Sequence, residues 1–168
     1  NQTRVSNNTI DSWGNMAVLV TGSSNVSIVD NTIHMATGES FPAIRLAAAL
    51  DGVISGNTIA SDGDKIQFRG VCERVSVSGN VLNMLLDGDA NDHTAIEVDP
   101  SSACIGLSIV GNNISQVPTT VSSTSIGIDL GGAQYSQVTG NLIRSFNKAI
   151  IVAASKEGNM LTSNRLYQ

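Results

Sequence analysis

The octet Leu107-Ser108-Ile109-Val110-Gly111-Asn112-Asn113-Ile114 recurs along this chain, and the recurrence decides what the chain can fold into. Seven copies align on Asn8, Asn31, Asn57, Asn80, Asn112, Asn141 and Asn164. Three residues before each asparagine stands an aliphatic side chain: Val5, Ile28, Ile54, Val77, Ile109, Val138 or Leu161. Two residues after it stands another: Ile10, Ile33, Ile59, Leu82, Ile114, Ile143 or Leu166. Immediately before it comes a turn former, Asn7, Asp30, Gly56, Gly79, Gly111, Gly140 or Ser163. Successive asparagines are 23, 26, 23, 32, 29 and 23 residues apart, the period of a solenoid.

Within one repeat, Leu107, Ile109 and Ile114 are expected to point inward and Ser108 and Val110 outward, the alternation of a strand. Gly111-Asn112 breaks that strand, because both residues tolerate a sharp bend. Stacked asparagines can bond the turn backbone and one another as a ladder. A second strand follows in six repeats: 17–20, 43–46, 65–68, 95–98, 127–130 and 149–152. Its second and fourth positions are always apolar, so its third points out. From its second position to the next asparagine the spacing is nearly fixed, at 13, 13, 14, 16, 13 and 14 residues. The preceding connection varies, at 10, 13, 9, 16, 16 and 9 residues, so length variation falls on one side. These features predict an all-β, right-handed parallel β-helix of about seven coils, forming one domain over 1–168. At about 4.8 Å per coil the rod is roughly 34 Å long. An α-solenoid would show a 3.6-residue period and fewer Val, Ile, Thr and Gly. The chain starts at Asn1 without Met and stops at Gln168 just after a repeat, and it reads as a segment of a longer protein or one end of an assembly.

The charge balance excludes some partners. The net charge is −5 and Lys and Arg are not clustered, which argues against nucleic acid. No apolar run reaches the roughly 18 residues of a membrane span. Cys and His show no zinc spacing, and no cofactor or metal is expected. Asp87-Gly-Asp89-Ala-Asn91-Asp92 is rich in oxygen but lacks the twelfth-position Glu of a calcium loop, where Val98 stands. Cys72 and Cys104 each lie eight residues before an asparagine and should be neighbours on adjacent coils, read as stacked, buried thiols.

The outward third position of the second strand forms a column: Leu19, Arg45, Gln67, Glu97, Asp129, Ile151. Its centre is polar, and the two longest connections, 83–94 and 115–125, adjoin Glu97 and Asp129. Two carboxyls one coil apart repel, so one should hold its proton beside an anion, the division that glycoside hydrolysis uses. Glu97 and Asp129 are therefore the candidate catalytic pair, and the bland alternative is a pair of solvated groups on an outward face. Arg45, Gln67, His93, Trp13 and Asp92 are the candidate substrate-binding residues. Arg45 offers a planar fork, His93 a proton shuttle and Trp13 a stacking platform, as does Phe41. Asp62 and Asp64 lie in the same variable connection, with no role assigned.

The asparagine-turn repeats, with Gly-Asn-x-Ile in Gly111 to Ile114 and its counterparts, resemble the pectate-lyase-like right-handed β-helix group across the whole chain. That group includes pectinases, polysaccharide lyases, epimerases and bacteriophage tailspikes. The tailspike resemblance implies an extracellular or virion-associated protein, a polysaccharide partner and a parallel homotrimer packed through the uncharged stripe Ser6, Val29, Ser55, Ser78, Val110, Thr139 and Thr162. It implies an endo-acting hydrolase of a bacterial surface polysaccharide. The alternatives are a non-catalytic glycan-binding or structural shaft and a polysaccharide lyase. A lyase would want a basic catalytic residue and aligned calcium carboxylates, and of these only Arg45 is present. Repeats of this kind specify the fold and leave the chemistry open.

Overall fold

A computed structural model of the chain describes residues 1–12, 15–35, 41–85, 93–117, 124–154 and 156–167. These residues form a parallel β-solenoid of about six coils, with no helix among them. The first sheet holds the strands that lead into each asparagine: Thr3–Ser6, Val26–Val29, Val53–Ser55, Ser76–Ser78, Ser108–Val110, Gln137–Thr139 and Met160–Thr162. The second holds the strands that leave it: Thr9–Ser12, Thr32–Met35, Thr58–Ser61, Val81–Leu85, Asn113–Val117, Leu142–Arg144 and Arg165–Tyr167. The third holds Val18–Ser24, Ile44–Leu50, Ile66–Arg69, Thr94–Val98, Ile126–Asp129 and Lys148–Ile151. Two sheets have seven strands and the third has six, which corrects the expected seven coils to about six. The seventh repeat adds strands to the first two sheets only.

Every strand pairs in parallel with its counterpart one coil away, and the aliphatic residues of the repeat meet their equivalents. Ile109 lies between Val77 and Val138, and Ile114 between Leu82 and Ile143. All six are sealed from solvent. The core is thus a set of columns along the rod axis, and each column is fed one residue at a time.

At the corner between the first two sheets the asparagines stack as expected. Asn112 Oδ1 accepts from both the backbone N–H and Nδ2 of Asn80, while Asn112 Nδ2 donates to Val77 O and to Asn141 Oδ1. The same pattern runs from Asn8 to Asn164. The sharp bend falls on the preceding residue, not on the ladder asparagine. Gly111 has φ of 64°, and Asn7, Asp30 and Ser163 accept the same left-handed conformation at φ 58°, 56° and 54°. The position therefore selects residues that bear positive φ at low cost, of which glycine is the cheapest.

Cys72 and Cys104 are free, buried thiols on adjacent coils, with Cys72 Sγ donating to Arg69 O and Cys104 Sγ to Gly70 O. The neighbouring Cys104 side chain is the main reason the Cys72 thiol falls to about 7, while the Cys104 thiol is pushed up. Among the described residues no helix is long and apolar enough to cross a membrane.

Candidate functional site

The third sheet presents the polar column. Its register pairs Leu19 with Arg45, Arg45 with Gln67, Gln67 with Glu97, Glu97 with Asp129, and Asp129 with Ile151. Parallel pairing places each side chain about 4.8 Å from the next along the rod. Arg45, Glu97 and Asp129 are each partly exposed, whereas Gln67 is 6% exposed. Gln67 is covered because it bonds both ways: Arg45 Nε donates to its Oε1 at 2.6 Å, and its Nε2 donates to Glu97 Oε2. An amide between a guanidinium and a carboxylate satisfies both groups and fixes the Glu97 side chain.

Beside this column, nearer the variable connection, stands Asp64. Its Oδ1 accepts from the Thr94 N–H at 2.8 Å. Burial pushes Asp64 up to about 7; the Thr94 N–H opposes this, and the neighbouring Glu97 carboxyl adds to it. Asp64 still keeps part of its surface open. Asp129 is also raised, first by burial and then by Glu97, against the Gly131 N–H that donates to its Oδ1 at 2.8 Å and the more distant Lys148 ammonium. Asp64, Glu97 and Asp129 thus form a run of three carboxyls on three successive coils.

Charges of the other sign border this run. Arg45 is lowered by its burial and by Arg69 nearby, while Asp64, Glu97 and Asp99 pull it back up. Arg69 Nε bonds Asp99 Oδ2 at 3.0 Å. Lys148 flanks the far end, its strand paired with that of Asp129. The face is acidic in the middle and basic at its edges.

The structure brings Arg45, Gln67, Glu97 and Asp129 into one row. His93 is 4% exposed, packed at the start of the Glu97 strand with its carbonyl accepting from Ile126 N–H. Phe41 is exposed at the entrance to the Arg45 strand. Trp13 and Asp92 lie outside the described residues, as do Asp87, Asp89 and most of the two long connections. No group of three His, Cys, Asp or Glu side chains able to hold a metal ion occurs among the described residues. Asp64 is the site residue whose role the sequence did not reveal. The available signal was its place three residues before Gln67, the same offset that separates Thr94 from Glu97.

No protein-family model matches the chain, and no curated protein matches it. The resemblance to the pectate-lyase-like group rests on the repeat alone.

Proposed function

We propose that the third-sheet face binds an extended polysaccharide along the rod and hydrolyses it. The observation that carries this reading is the run of three carboxyls on successive coils, Asp64, Glu97 and Asp129, the last two in register and Asp64 pushed by burial to about 7. Glycosidic hydrolysis needs a protonated carboxyl at the leaving oxygen and a carboxylate that activates water or attacks the sugar. Glu97 and Asp129 are the candidate acid and base or nucleophile, with Asp64 on the coil before Glu97. Gln67 positions Glu97, and the Arg45 fork faces sugar hydroxyls. A face with an acidic centre favours neutral or cationic sugars over polyuronates, whose charge it repels. The tailspike resemblance adds a bacterial surface polysaccharide as substrate and a homotrimer as the assembled form.

A second reading, a glycan-binding or structural shaft, is favoured by the closed bonding of the row, in which Gln67 is spent on Arg45 and Glu97. Cleavage of a panel of bacterial surface polysaccharides separates the two. We expect depolymerisation by the wild type, with Glu97→Gln and Asp129→Asn each losing about 100-fold or more in rate while retaining binding. Binding without cleavage by a correctly folded wild type would make this a recognition rod. Neither binding nor cleavage would leave a shaft.

A further inference from the structure

At the start of the third sheet two outward rows of side chains set a pair of arginines around one alanine. Leu19, Arg45 and Gln67 form one row and Thr21, Ala47 and Arg69 the next. Val20, Leu46 and Phe68 between them are buried, so strand alternation turns both rows outward. Ala47 stands one coil from Thr21 and one coil from Arg69, about 4.8 Å from each. Arg45 lies two residues before Ala47 on the same strand. Arg45 and Arg69 are therefore diagonal neighbours, with backbones about 8 Å apart, a span that long side chains cross. Between them the short Ala47 side chain leaves a notch.

Both guanidiniums are held from behind. Arg45 Nε donates to Gln67 Oε1 at 2.6 Å, and Gln67 is fixed in turn by Glu97. Arg69 Nε donates to Asp99 Oδ2 at 3.0 Å, and Asp99 is fixed by the Ser101 N–H at 2.8 Å and hydroxyl at 2.6 Å. Anchoring through Nε leaves the two Nη atoms of each fork, an edge that takes a carboxylate or phosphate in two parallel bonds. Among the described residues neither Nη pair has a bonded partner, and neither has the Thr21 hydroxyl. Arg74 is the opposite case, its fork closed on Asp51 and Glu73. The charge balance agrees: Asp99 offsets Arg69, but Arg45 bonds only a neutral amide, so the notch stays cationic.

We infer that the notch over Ala47 is a subsite for one acidic substituent of the glycan, a carboxylate or a phosphate ester, held by Arg45, Arg69 and Thr21. The inference rests on the glycan reading of this face and narrows its substrate class. Ala47 is two coils from Glu97, about 10 Å along the rod, so the acidic substituent is kept away from the carboxyls. A polyuronate would set a negative charge over both places and be repelled at one of them. A sparsely charged chain, with one acidic group per repeat and uncharged sugars over Glu97 and Asp129, suits both.

The experiment is an NMR titration of the full chain, labelled at alanine methyls and arginine Nε. The probes are sodium glucuronate, inorganic phosphate and, as the neutral control, glucose. We expect the anions to shift the Ala47 methyl and the Arg45 and Arg69 Nε–H signals, and glucose to leave them in place. The tighter of the two anions tells a sugar carboxylate from a phosphate ester. In Ala47→Glu the chain's own carboxylate enters the notch, and anion affinity should fall about 10-fold or more. Arg69→Gln, at an exposed side chain, should weaken it as well while the other alanine methyls keep their positions. No movement at Ala47, or equal movement at the exposed Arg144 and Arg165, would overturn the inference. On a polysaccharide panel, sparsely acidic chains should bind wild type about 10-fold or more tighter than Ala47→Glu. A chain bound and cleaved equally by both would leave hydrolysis standing and overturn the subsite. A panel with no binding at all would sink the glycan reading, and the titration with the two anions would still judge the notch by itself.

Discussion

Asp64 takes up a proton on folding and Lys65 gives one up, so the two act on stability in opposite pH windows. The Asp64 carboxyl is raised from 3.8 to about 7, so the folded chain holds the extra proton between those values. Its contribution is fully present below about 4 and is lost as the pH rises through about 7. Lys65 is lowered from 10.5 to about 7, so there the unfolded chain holds the extra proton. Its penalty is largest below about 7 and is relieved as the pH climbs toward 10.5. The melting temperature should therefore pass through a minimum near neutral pH. Cys72, lowered from 9.0 to about 7, adds to the alkaline rise and Cys104, pushed up from 9.0, opposes it at the alkaline end, so the difference between wild type and Lys65→Met is the quantity that isolates Lys65. Asp51 and Asp99 are lowered by Arg74 and by Ser101 respectively, and they act only near and below 3.8, screened by solvent. Thermal melts from pH 4 to 10 check this: Asp64→Asn should flatten the acidic limb and Lys65→Met the alkaline one. A monotonic curve in wild type would contradict both shifts. Glu97 and Asp129 were legible in the sequence because strand alternation assigns each a direction and the repeat assigns each a neighbour. Asp64 was not, because it stands in a corner, where no period fixes its direction and its chemistry comes from burial.

Strands and corners were the most legible elements, since aliphatic positions at fixed offsets from an asparagine leave one register. The extended strands Val18–Ser24 and Ile44–Leu50, which run past the expected segments, were less so. They continue through Thr21 and Ala47, bend at Gly22 and Ala48, whose φ of 59° and 57° are left-handed, and resume pairing at Ser23 with Ala49 and Ser24 with Leu50. The short pair Cys104–Ile105 with Ala133–Gln134 has no apolar alternation of its own and exists because the coils above and below hold it. The asparagine corner is where an element-level change should cost most. In Asn112→Ala the buried Asn80 N–H and Nδ2 lose their common acceptor and Val77 O loses its donor. Unmade bonds of this kind cost roughly 1–3 kcal/mol each, so a loss of about 3 kcal/mol is expected. Asn8→Ala, at the first coil, removes only donors to Ser6 O and to Asn31 Oδ1, a corner partly open to water, and should cost about 1 kcal/mol or less. Urea unfolding of the two variants side by side measures the contrast, and equal losses would show that the ladder is not what holds the corner.

As a whole molecule the rod has no centre in sequence, only neighbours. Each coil gives its backbone hydrogen bonds and its aliphatic columns to the coils on either side, so local stability should follow position along the axis. The middle coils are sealed: Ile54, Val77 and Ile109 are all at 0% exposure. Within this chain the coil of Met160–Thr162 pairs on one side, and its Leu161, Leu166 and Tyr167 are exposed, the last two by more than half. Hydrogen exchange should therefore be slowest in Val53–Ser55, Ser76–Ser78 and Ser108–Val110 and fastest in Met160–Thr162 and Arg165–Tyr167. A charge placed in the middle should reverse that order. Ile109→Asp sets a carboxylate between Val77 and Val138 with no partner in the column, and an unpaired buried charge costs more than the surrounding contacts return. Because Ser76–Ser78 and Gln137–Thr139 both pair with Ser108–Val110, the damage should spread to both, while Thr3–Ser6 and Val26–Val29, still paired with each other, keep more of their protection. Exchange read by mass spectrometry on wild type and Ile109→Asp, alongside their melting curves, tests this. An unchanged melting curve with protected amides at Ser108–Val110 would mean that residue 109 does not face the core, and the register of every coil would have to be reassigned.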